Sequence, residues 1–233
     1  MKPEVLEHYL YLFLDLGALI LPFLFSFHKR IRFDRQWPAF RQATLIVAFV
    51  FIVWDIAFTR MGVWGFNARY LTGLDLLGLP VEEWLFFLCI PYACVFTYFV
   101  LGALRSDPWA PKVTKVISWV LIGISLCIGM FHFGRWYTST TFLALATTLT
   151  TLFVSGRIDS LGRFFVSYAV VLLPFFLING TLTGSFIEGE VVWYNDAENL
   201  GIRLGTIPIE DIFYGMLLIL LNVVLFERWR KIQ

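Results

Sequence analysis

The sequence has 233 residues, of which 59% are hydrophobic and 15% are charged, and its formal net charge is +1. A soluble domain is roughly half apolar and about a quarter charged, so this composition excludes an ordinary soluble protein. The near-zero net charge and the lack of a basic patch exclude a nucleic-acid-binding surface. The three cysteines lie in apolar segments without metal-ligand spacing, which predicts packing residues and neither a metal site nor a disulfide framework.

Apolar segments of about 20 residues follow one another along the chain, and this length crosses a hydrocarbon layer roughly 30 Å thick. They predict an all-α polytopic membrane helical bundle with spans at 7–27, 39–59, 80–103, 113–133, 136–154, 164–184 and 207–226. The first segment has no preceding basic region or cleavage site and is expected to be retained. Only Gly134 and Arg135 separate the fourth and fifth segments, so six spans stay an alternative.

The lysines and arginines predict the orientation of these spans in a cell membrane. Thirteen of them, including Arg105 and Arg157, fall in one set of alternate loops, and five, including Lys2, fall in the other. Cytoplasmic loops carry an excess of these residues. The N-terminus is therefore expected outside and the C-terminus in the cytoplasm, which also favours an odd number of spans.

An internal repeat relates the two halves of the sequence at a constant offset, the one that carries Asn67 onto Asn195. Phe66-Asn67 matches Tyr194-Asn195, and Pro-Val-Glu-Glu at 80–83 matches Pro-Ile-Glu-Asp at 208–211. Two three-span units can share one orientation only if a further span connects them, as parallel repeats require. The expected division is a first unit at 1–112, a connecting helix at 113–134 and a second unit at 135–233.

The repeated motif places two acids in the first turn of the third span and two in the first turn of the seventh. Pro80 and Pro208 occupy the helix start, where the missing N–H costs little. Acids in a first turn can simply cap the helix. Capping explains one acid per helix and explains poorly an adjacent pair that is repeated, so we expect Glu82, Glu83, Glu210 and Asp211 to form a coupled carboxyl cluster. Adjacent helical residues point about 100° apart, so at most one acid of each pair is expected to face a shared cavity squarely.

Other polar residues are candidates for supporting this cluster. Asp55 and Asp15 are acids within spans, where ionisable groups tend to face a polar interior. Asn67 and Asn195 are duplicated and can position the carboxylates or serve only as turn residues. Arg69 and Arg203 are counter-ions or solvated charges.

The aromatic residues, among them Trp64, Trp193 and Tyr194, fit a membrane-interface belt, and an aromatic pocket can also stabilise a carbocation.

The motifs at 80–83 and 208–211, each opening a span after an Asn-containing loop, resemble those of a known family. The chain resembles the membrane lycopene cyclases of the heterodimeric bacterial type in their fused single-chain form, over nearly its full length. In that family two small three-span subunits, or their fusion, make the enzyme, and a related domain occurs in fungal bifunctional carotenoid enzymes.

The resemblance implies a lycopene β-cyclase, an isomerase of carotenoid biosynthesis that converts the ψ-end groups of lycopene to β-ionone rings through γ-carotene. It implies catalytic roles for Glu82, Glu83, Glu210 and Asp211, with no cofactor and no metal. The implied partners are lycopene, membrane lipid and other carotenoid enzymes. Such a cyclisation needs one protonated carboxyl, one carboxylate and a dry pocket. The residues leave open which acid donates the proton, and whether the ring is of β or ε type.

A small transporter with the same repeat arrangement is the alternative of another class. A seven-helix photoreceptor is excluded because the last span contains no lysine for a retinal Schiff base. From the sequence, Glu82→Gln or Glu210→Gln is expected to abolish ring formation. Asp55→Asn is expected to impair activity, and Asp15→Asn to affect mainly folding.

Overall fold

The structure is a computed structural model that describes residues 7–104, 111–156 and 158–231. Within these residues the chain forms seven α-helices. Their bounds are α1 Leu10–Ser26, α2 Trp37–Met61, α3 Val81–Leu104, α4 Pro111–Phe131, α5 Trp136–Val154, α6 Ile158–Leu182 and α7 Ile209–Arg230. The predicted all-α helical bundle is therefore confirmed, and the fourth and fifth segments are separate helices on either side of the break at Gly134 and Arg135.

Six of these helices are long and apolar enough to cross a membrane. The exception is α1, whose 17 residues span about 25 Å at 1.5 Å per residue, the lower end of the range for a transmembrane helix. The predicted bounds differ most at the sixth segment, where α6 begins at 158 and not at 164. The arrangement is that of a multi-pass membrane protein.

Six short strands lie in the loops before α3 and α7. The longer two, β1 at Trp64–Phe66 and β4 at Val192–Tyr194, pair with each other. The remaining four make two small hairpins, which lead directly into the helices. Their bounds are β2 Asp75–Leu76, β3 Leu79–Pro80, β5 Arg203–Leu204 and β6 Ile207–Pro208. Each strand before α3 has its counterpart before α7 at the same offset that relates the sequence repeats.

The pairing of β1 with β4 follows a local two-fold symmetry. The strands are antiparallel, and the central pair is Gly65 with Trp193, two positions that the repeat matches to each other. The backbone N–H of Asn67 donates to the carbonyl of Val191, and that of Asn195 donates to the carbonyl of Val63. A Cβ atom at position 65 would lie 2.3 Å from the Trp193 ring, so only glycine leaves room for this ring against β1.

Helices of each half pack both against each other and against helices of the other half. Helix α1 packs against α3, as α5 packs against α7, while α2 packs against α7 and α6 packs against α3. The connecting helix α4 packs against α5 and α6. A buried hydrogen bond of 2.9 Å from Thr44 on α2 to Asn222 on α7 joins the two halves. This packing brings the first turns of α3 and α7 to the same end of the bundle.

The division at 1–112, 113–134 and 135–233 stays a prediction, although the matched contacts are consistent with it. The orientation in the membrane also stays a prediction. Of the residues in the charge count, Lys2, Arg105 and Arg157 lie outside the described residues.

Candidate functional site

One acid of each pair faces a common cavity and the other faces away from it. The cavity has a volume of about 550 Å³ and lies between α1, α3, α6 and α7, closed at one end by β1 and β4. Glu83 and Asp211 line it, whereas Glu82 and Glu210 do not. All four side chains are buried. Adjacent residues of a helix point about 100° apart, so only one acid of each pair can face the same space.

Glu82 and Glu210 hold the loops that precede α3 and α7. The Oε1 atom of Glu82 accepts a hydrogen bond of 2.7 Å from the backbone N–H of Thr72. The Oε1 atom of Glu210 accepts one of 2.7 Å from the N–H of Leu200 and another of 2.7 Å from the Thr138 hydroxyl. The two backbone contacts are related by the repeat offset. These acids therefore fix the loops behind the cavity.

Replacing either of these acids with alanine is expected to destabilise the protein. Glu82→Ala leaves the partly buried N–H of Thr72 without its acceptor, and Glu210→Ala leaves the partly buried N–H of Leu200 and the buried hydroxyl of Thr138. A fully buried unsatisfied group costs about 1–3 kcal/mol. We expect a lower thermal unfolding temperature in detergent for both variants, with the larger decrease for Glu210→Ala. Glu188→Ala is the control, because its exposed carboxylate pairs only at the surface with Arg69. Unfolding temperatures equal to that of the control would contradict the loop-holding role.

Glu83 on α3 lies beside a second carboxyl group. Its Oε2 atom accepts a hydrogen bond of 2.5 Å from the Tyr11 hydroxyl of α1. The carboxyl groups of Glu83 and Asp55 are neighbours that influence each other electrostatically, and Asp55 Oδ2 has no hydrogen-bond partner among the described residues. The other Asp55 oxygen, Oδ1, accepts from the Trp64 indole N–H at 2.5 Å and from Thr59 at 3.2 Å. Two neighbouring carboxyl groups disfavour simultaneous ionisation, so the pair is suited to sharing one proton.

Asp211 on α7 lies among hydrogen-bond donors. Its Oδ1 atom accepts from the Tyr137 hydroxyl at 2.6 Å. Its Oδ2 atom accepts from the Asn179 amide at 2.7 Å and from the Tyr194 hydroxyl at 3.0 Å. An ionised carboxylate only accepts hydrogen bonds, so three donors from three elements fit its unprotonated form. Glu83, beside a second carboxyl group, and Asp211, held by three donors, thus line the same cavity.

The difference between the two acids can be traced to single positions of the repeat. The neighbour of Glu83 is Asp55, whose repeat counterpart is Thr183. The donors to Asp211 include Asn179 and Tyr194, whose counterparts are the hydrocarbon side chains of Phe51 and Phe66. The first half therefore contains an additional carboxyl group, and the second half contains additional hydrogen-bond donors.

The two duplicated asparagines are turn residues that link the halves. The Asn67 amide donates to the carbonyl of Glu190 at 3.0 Å, and the Asn195 amide donates to the carbonyl of Gly62 at 3.3 Å. The Oδ1 atom of each accepts from the backbone N–H two residues later. Of the two sequence-based interpretations, the contacts support the structural one, since within the described part of the chain neither side chain bonds to a carboxylate of the cluster.

The two loop arginines pair with surface acids and not with the buried cluster. Arg69 contacts Glu7 at 2.8 Å and Glu188 at 3.2 Å. Arg203 contacts Asp196 at 2.7 Å, and its hydrogen bond lowers the pKa of that carboxyl. Asp211 and Glu83 are therefore not neutralised by these cations.

Asp15 is buried on α1, and neither of its carboxyl oxygens has a hydrogen-bond partner among the described residues. It lies one helical turn from Tyr11 and does not line the cavity. The structure brings Glu83 and Asp211 to the cavity wall, whereas Asp55, a neighbour of Glu83, and Asp15 lie outside the lining.

Aromatic rings form much of the cavity wall. They come from α1, α3, α5, α6, α7 and the β1–β4 pair, namely Tyr11, Phe13, Trp64, Phe66, Phe86, Tyr137, Tyr168, Phe175, Tyr194 and Tyr214. Trp64 donates a hydrogen bond to Asp55, and Tyr194 donates one to Asp211. The interpretation of Trp64 and Tyr194 as membrane-interface residues was therefore incomplete. Sequence reasoning missed Tyr11, Tyr137 and Asn179, although Asn179 is a polar residue whose repeat counterpart is apolar. Ring faces around a water-poor space suit a positively charged intermediate.

Comparison with known proteins points to one family. A region of the chain is 29% identical over 147 residues to the bifunctional lycopene cyclase/phytoene synthase of Neurospora crassa. The matched region is 57% of this chain and 24% of that relative, so the chain spans only a part of the fungal protein's length. No solved structure matches. The sequence model of a family described as lycopene cyclase matches residues 8–101 and 134–229, which together exceed half of the chain. The chain therefore belongs to the lycopene cyclase family.

Proposed function

We propose that the protein cyclises the acyclic ψ-end groups of lycopene by acid/base chemistry that involves no net oxidation or reduction. The observation that carries the proposal is that Glu83 and Asp211 line one apolar cavity, Glu83 beside a second carboxyl group and Asp211 beside three hydrogen-bond donors. The family match and the name of the fungal relative support the choice of substrate class. The transporter alternative has no support in the described residues.

Glu83 is proposed as the proton donor. The reaction begins when a carboxylic acid adds a proton to C2 of the end group, which creates a cation at C1. A side chain that shares a proton with Asp55 can give up that proton, and the two carboxylates left behind are stabilised by the hydroxyl of Tyr11, which bonds Glu83, and by the indole N–H of Trp64, which bonds Asp55.

Asp211 is proposed as the base. The C5–C6 double bond attacks C1, which forms the C1–C6 bond and moves the positive charge to C5. Removal of the C6 proton by Asp211 restores the double bond and gives the β ring, so one proton is added and one is removed for each ring. The hydrogen bonds from Tyr137, Asn179 and Tyr194 orient the carboxylate towards the cavity.

The cavity wall is proposed to protect the cation between these two steps. Water would add to the cation and end the reaction as an alcohol, so the site must exclude it. The wall is largely aromatic and aliphatic, and the β1–β4 pair closes its end with Trp64, Phe66 and Val192. Ring faces stabilise a nearby cation by about 2 kcal/mol where water is absent.

The site is also proposed to return the proton from Asp211 to Glu83 after each turnover, since the cycle otherwise stops after one ring. Tyr194 is suited to this step because its hydroxyl donates a hydrogen bond to Asp211 and lines the same cavity as Glu83.

We further propose that the N-terminus lies outside and the C-terminus in the cytoplasm, on the basis of the lysine and arginine distribution. Association with other carotenoid enzymes stays a prediction.

Expression of the chain in a bacterium that accumulates lycopene tests the proposal. We expect a shift from red to yellow-orange and the appearance of monocyclic and bicyclic carotenoids in pigment extracts separated by chromatography. Cells with the empty vector are the control, and the amount of protein in the membrane is measured in parallel. Lycopene that stays unchanged in the presence of membrane-inserted protein would contradict the proposal.

A further inference from the structure

The cavity opens sideways between two helices, towards the hydrocarbon layer. Both α1 and α6 contribute to its lining, with Phe13, Gly17 and Leu21 from α1 and Pro174 and Leu177 from α6. These residues are also exposed on the outer surface of the bundle; Phe13, Leu21 and Leu177 are 47%, 61% and 62% exposed. Residues that belong both to a cavity wall and to the lipid-facing surface mark the edge of an opening.

The positions of α5 that correspond to the α1 side of this opening are buried in the second half of the protein. The repeat counterparts of Phe13, Gly17 and Leu21 are three residues of α5, and all three are fully buried; they are Thr141, Leu145 and Leu149. Phe142, the counterpart of the cavity-lining Leu14, packs against Phe213 with ring centroids 4.6 Å apart. The opening therefore departs from the symmetry of the fold.

Gly17 lies on the rim of this opening and adds no side chain to it. A Cβ atom built at this position meets no other atom within 4 Å. Glycine inside a helix is destabilising by about 0.5–1 kcal/mol relative to alanine. This cost is explained if the position must be free of a side chain, so that the path to Glu83 and Asp211 is unobstructed.

We propose that a linear polyene enters laterally from the bilayer between α1 and α6, one end at a time, with Gly17 keeping the entrance open. This inference rests on the proposed function and extends it to the route and direction of substrate binding. The end group reaches the carboxyl groups near β1 and β4, while the remainder of the polyene stays in the opening and in the surrounding lipid. Formation of two rings then requires two separate binding events.

Closing the entrance with a large side chain tests the proposal. Gly17→Trp is expected to lower ring formation by at least about tenfold, because the indole fills the opening. Gly123→Trp is the matched control: Gly123 is exposed on the lipid-facing surface of α4, and a Cβ atom there also meets nothing within 4 Å. Both variants are expected at normal levels in the membrane. Equal activity of the two variants would overturn the entrance between α1 and α6.

A second measurement reports polyene binding without turnover. A thiol-reactive fluorophore is attached to a cysteine introduced at one of two exposed isoleucines. Ile20→Cys places it beside the opening, and Ile124→Cys places it on α4. Both proteins also carry Cys127→Ser, which removes the exposed native thiol. The labelled proteins carry Glu83→Gln, and lycopene is added to vesicles that contain them. We expect saturable quenching at position 20, only linear quenching by bulk lycopene at position 124, and no saturable component with Gly17→Trp.

The two measurements separate the failure of this proposal from that of the proposed function. Saturable quenching at position 20 combined with no ring formation by the unaltered protein would support the entrance and remove the cyclase assignment. Ring formation by the unaltered protein with the same linear quenching at positions 20 and 124 would retain the cyclase assignment and overturn the entrance.

Discussion

Glu83→Gln is expected to abolish ring formation, with a loss of at least about a hundredfold, while the amount of protein in the membrane stays normal. An amide has nearly the shape of the carboxyl group and can still accept the hydrogen bond from Tyr11, but it cannot donate a proton to carbon. General acid catalysis contributes about 10²–10⁴-fold to a rate, and here the cation does not form without it. Chromatography of pigments from lycopene-accumulating cells measures the effect.

From the sequence, loss of ring formation was expected for Glu82→Gln; with the structure, we expect it for Glu83→Gln. The sequence-based hypothesis named Glu82 and Glu210, and a catalytic role for either stays a prediction. Glu82 bonds to the loop at Thr72 and does not line the cavity. We therefore expect its replacement to affect mainly the folded fraction, and the replacement of Glu83 to affect the chemistry. Unaltered pigment in Glu83→Gln cells would remove Glu83 as the proton donor.

The helices were predictable because bilayer thickness imposes a long apolar segment whose length is independent of tertiary contacts. The start of α6 was placed too late, at 164, because Arg163 was assigned to a loop. In the structure this arginine lies within the helix, where it contacts Glu227 at 3.8 Å and the ring of Tyr98 at 5.7 Å. A charge that pairs inside the bundle cannot be told apart from a solvated charge by sequence alone.

The strand pairs in the loops were not predicted. The hairpin strands are too short for an alternating pattern, and the β1–β4 pair joins segments from opposite halves of the chain. The first hairpin turns at Leu77 and Gly78, both with positive φ, and a leucine gives no signal for such a conformation. Pairing between distant strands depends on the helices that bring them together.

The acids of the site were predictable, and their individual positions were not. The duplicated motif identified four carboxyl groups, but an error of one residue in the start of a helix rotates every side chain by about 100°. The donors to Asp211 come from α5, α6 and β4, which only the tertiary fold brings together. One signal was available: positions such as 55, 179 and 194 are polar in one repeat and less polar or apolar in the other.

Asp211→Asn is also expected to lower ring formation by at least about a hundredfold, for a different reason. The acid at Glu83 is intact, so the cation still forms, but the amide cannot take the C6 proton. The carbonyl oxygen of the asparagine can still accept from Tyr137, whereas its NH₂ group would face the NH₂ group of Asn179. Most of the cyclised cation is then expected to revert to the open chain.

The small residual product of Asp211→Asn distinguishes a base from a residue that merely maintains the cavity. A cation at C5 can lose a proton from C6, from C4 or from the attached methyl group, and each choice gives a different ring. The base selects among them by its position, so its loss should change the proportions of the ring types as well as their total. Glu83→Gln, which prevents the cation, should leave no such mixture. Residual product with the proportions made by the unaltered protein would show that another group removes the proton, and that Asp211 only orients the tyrosines around it.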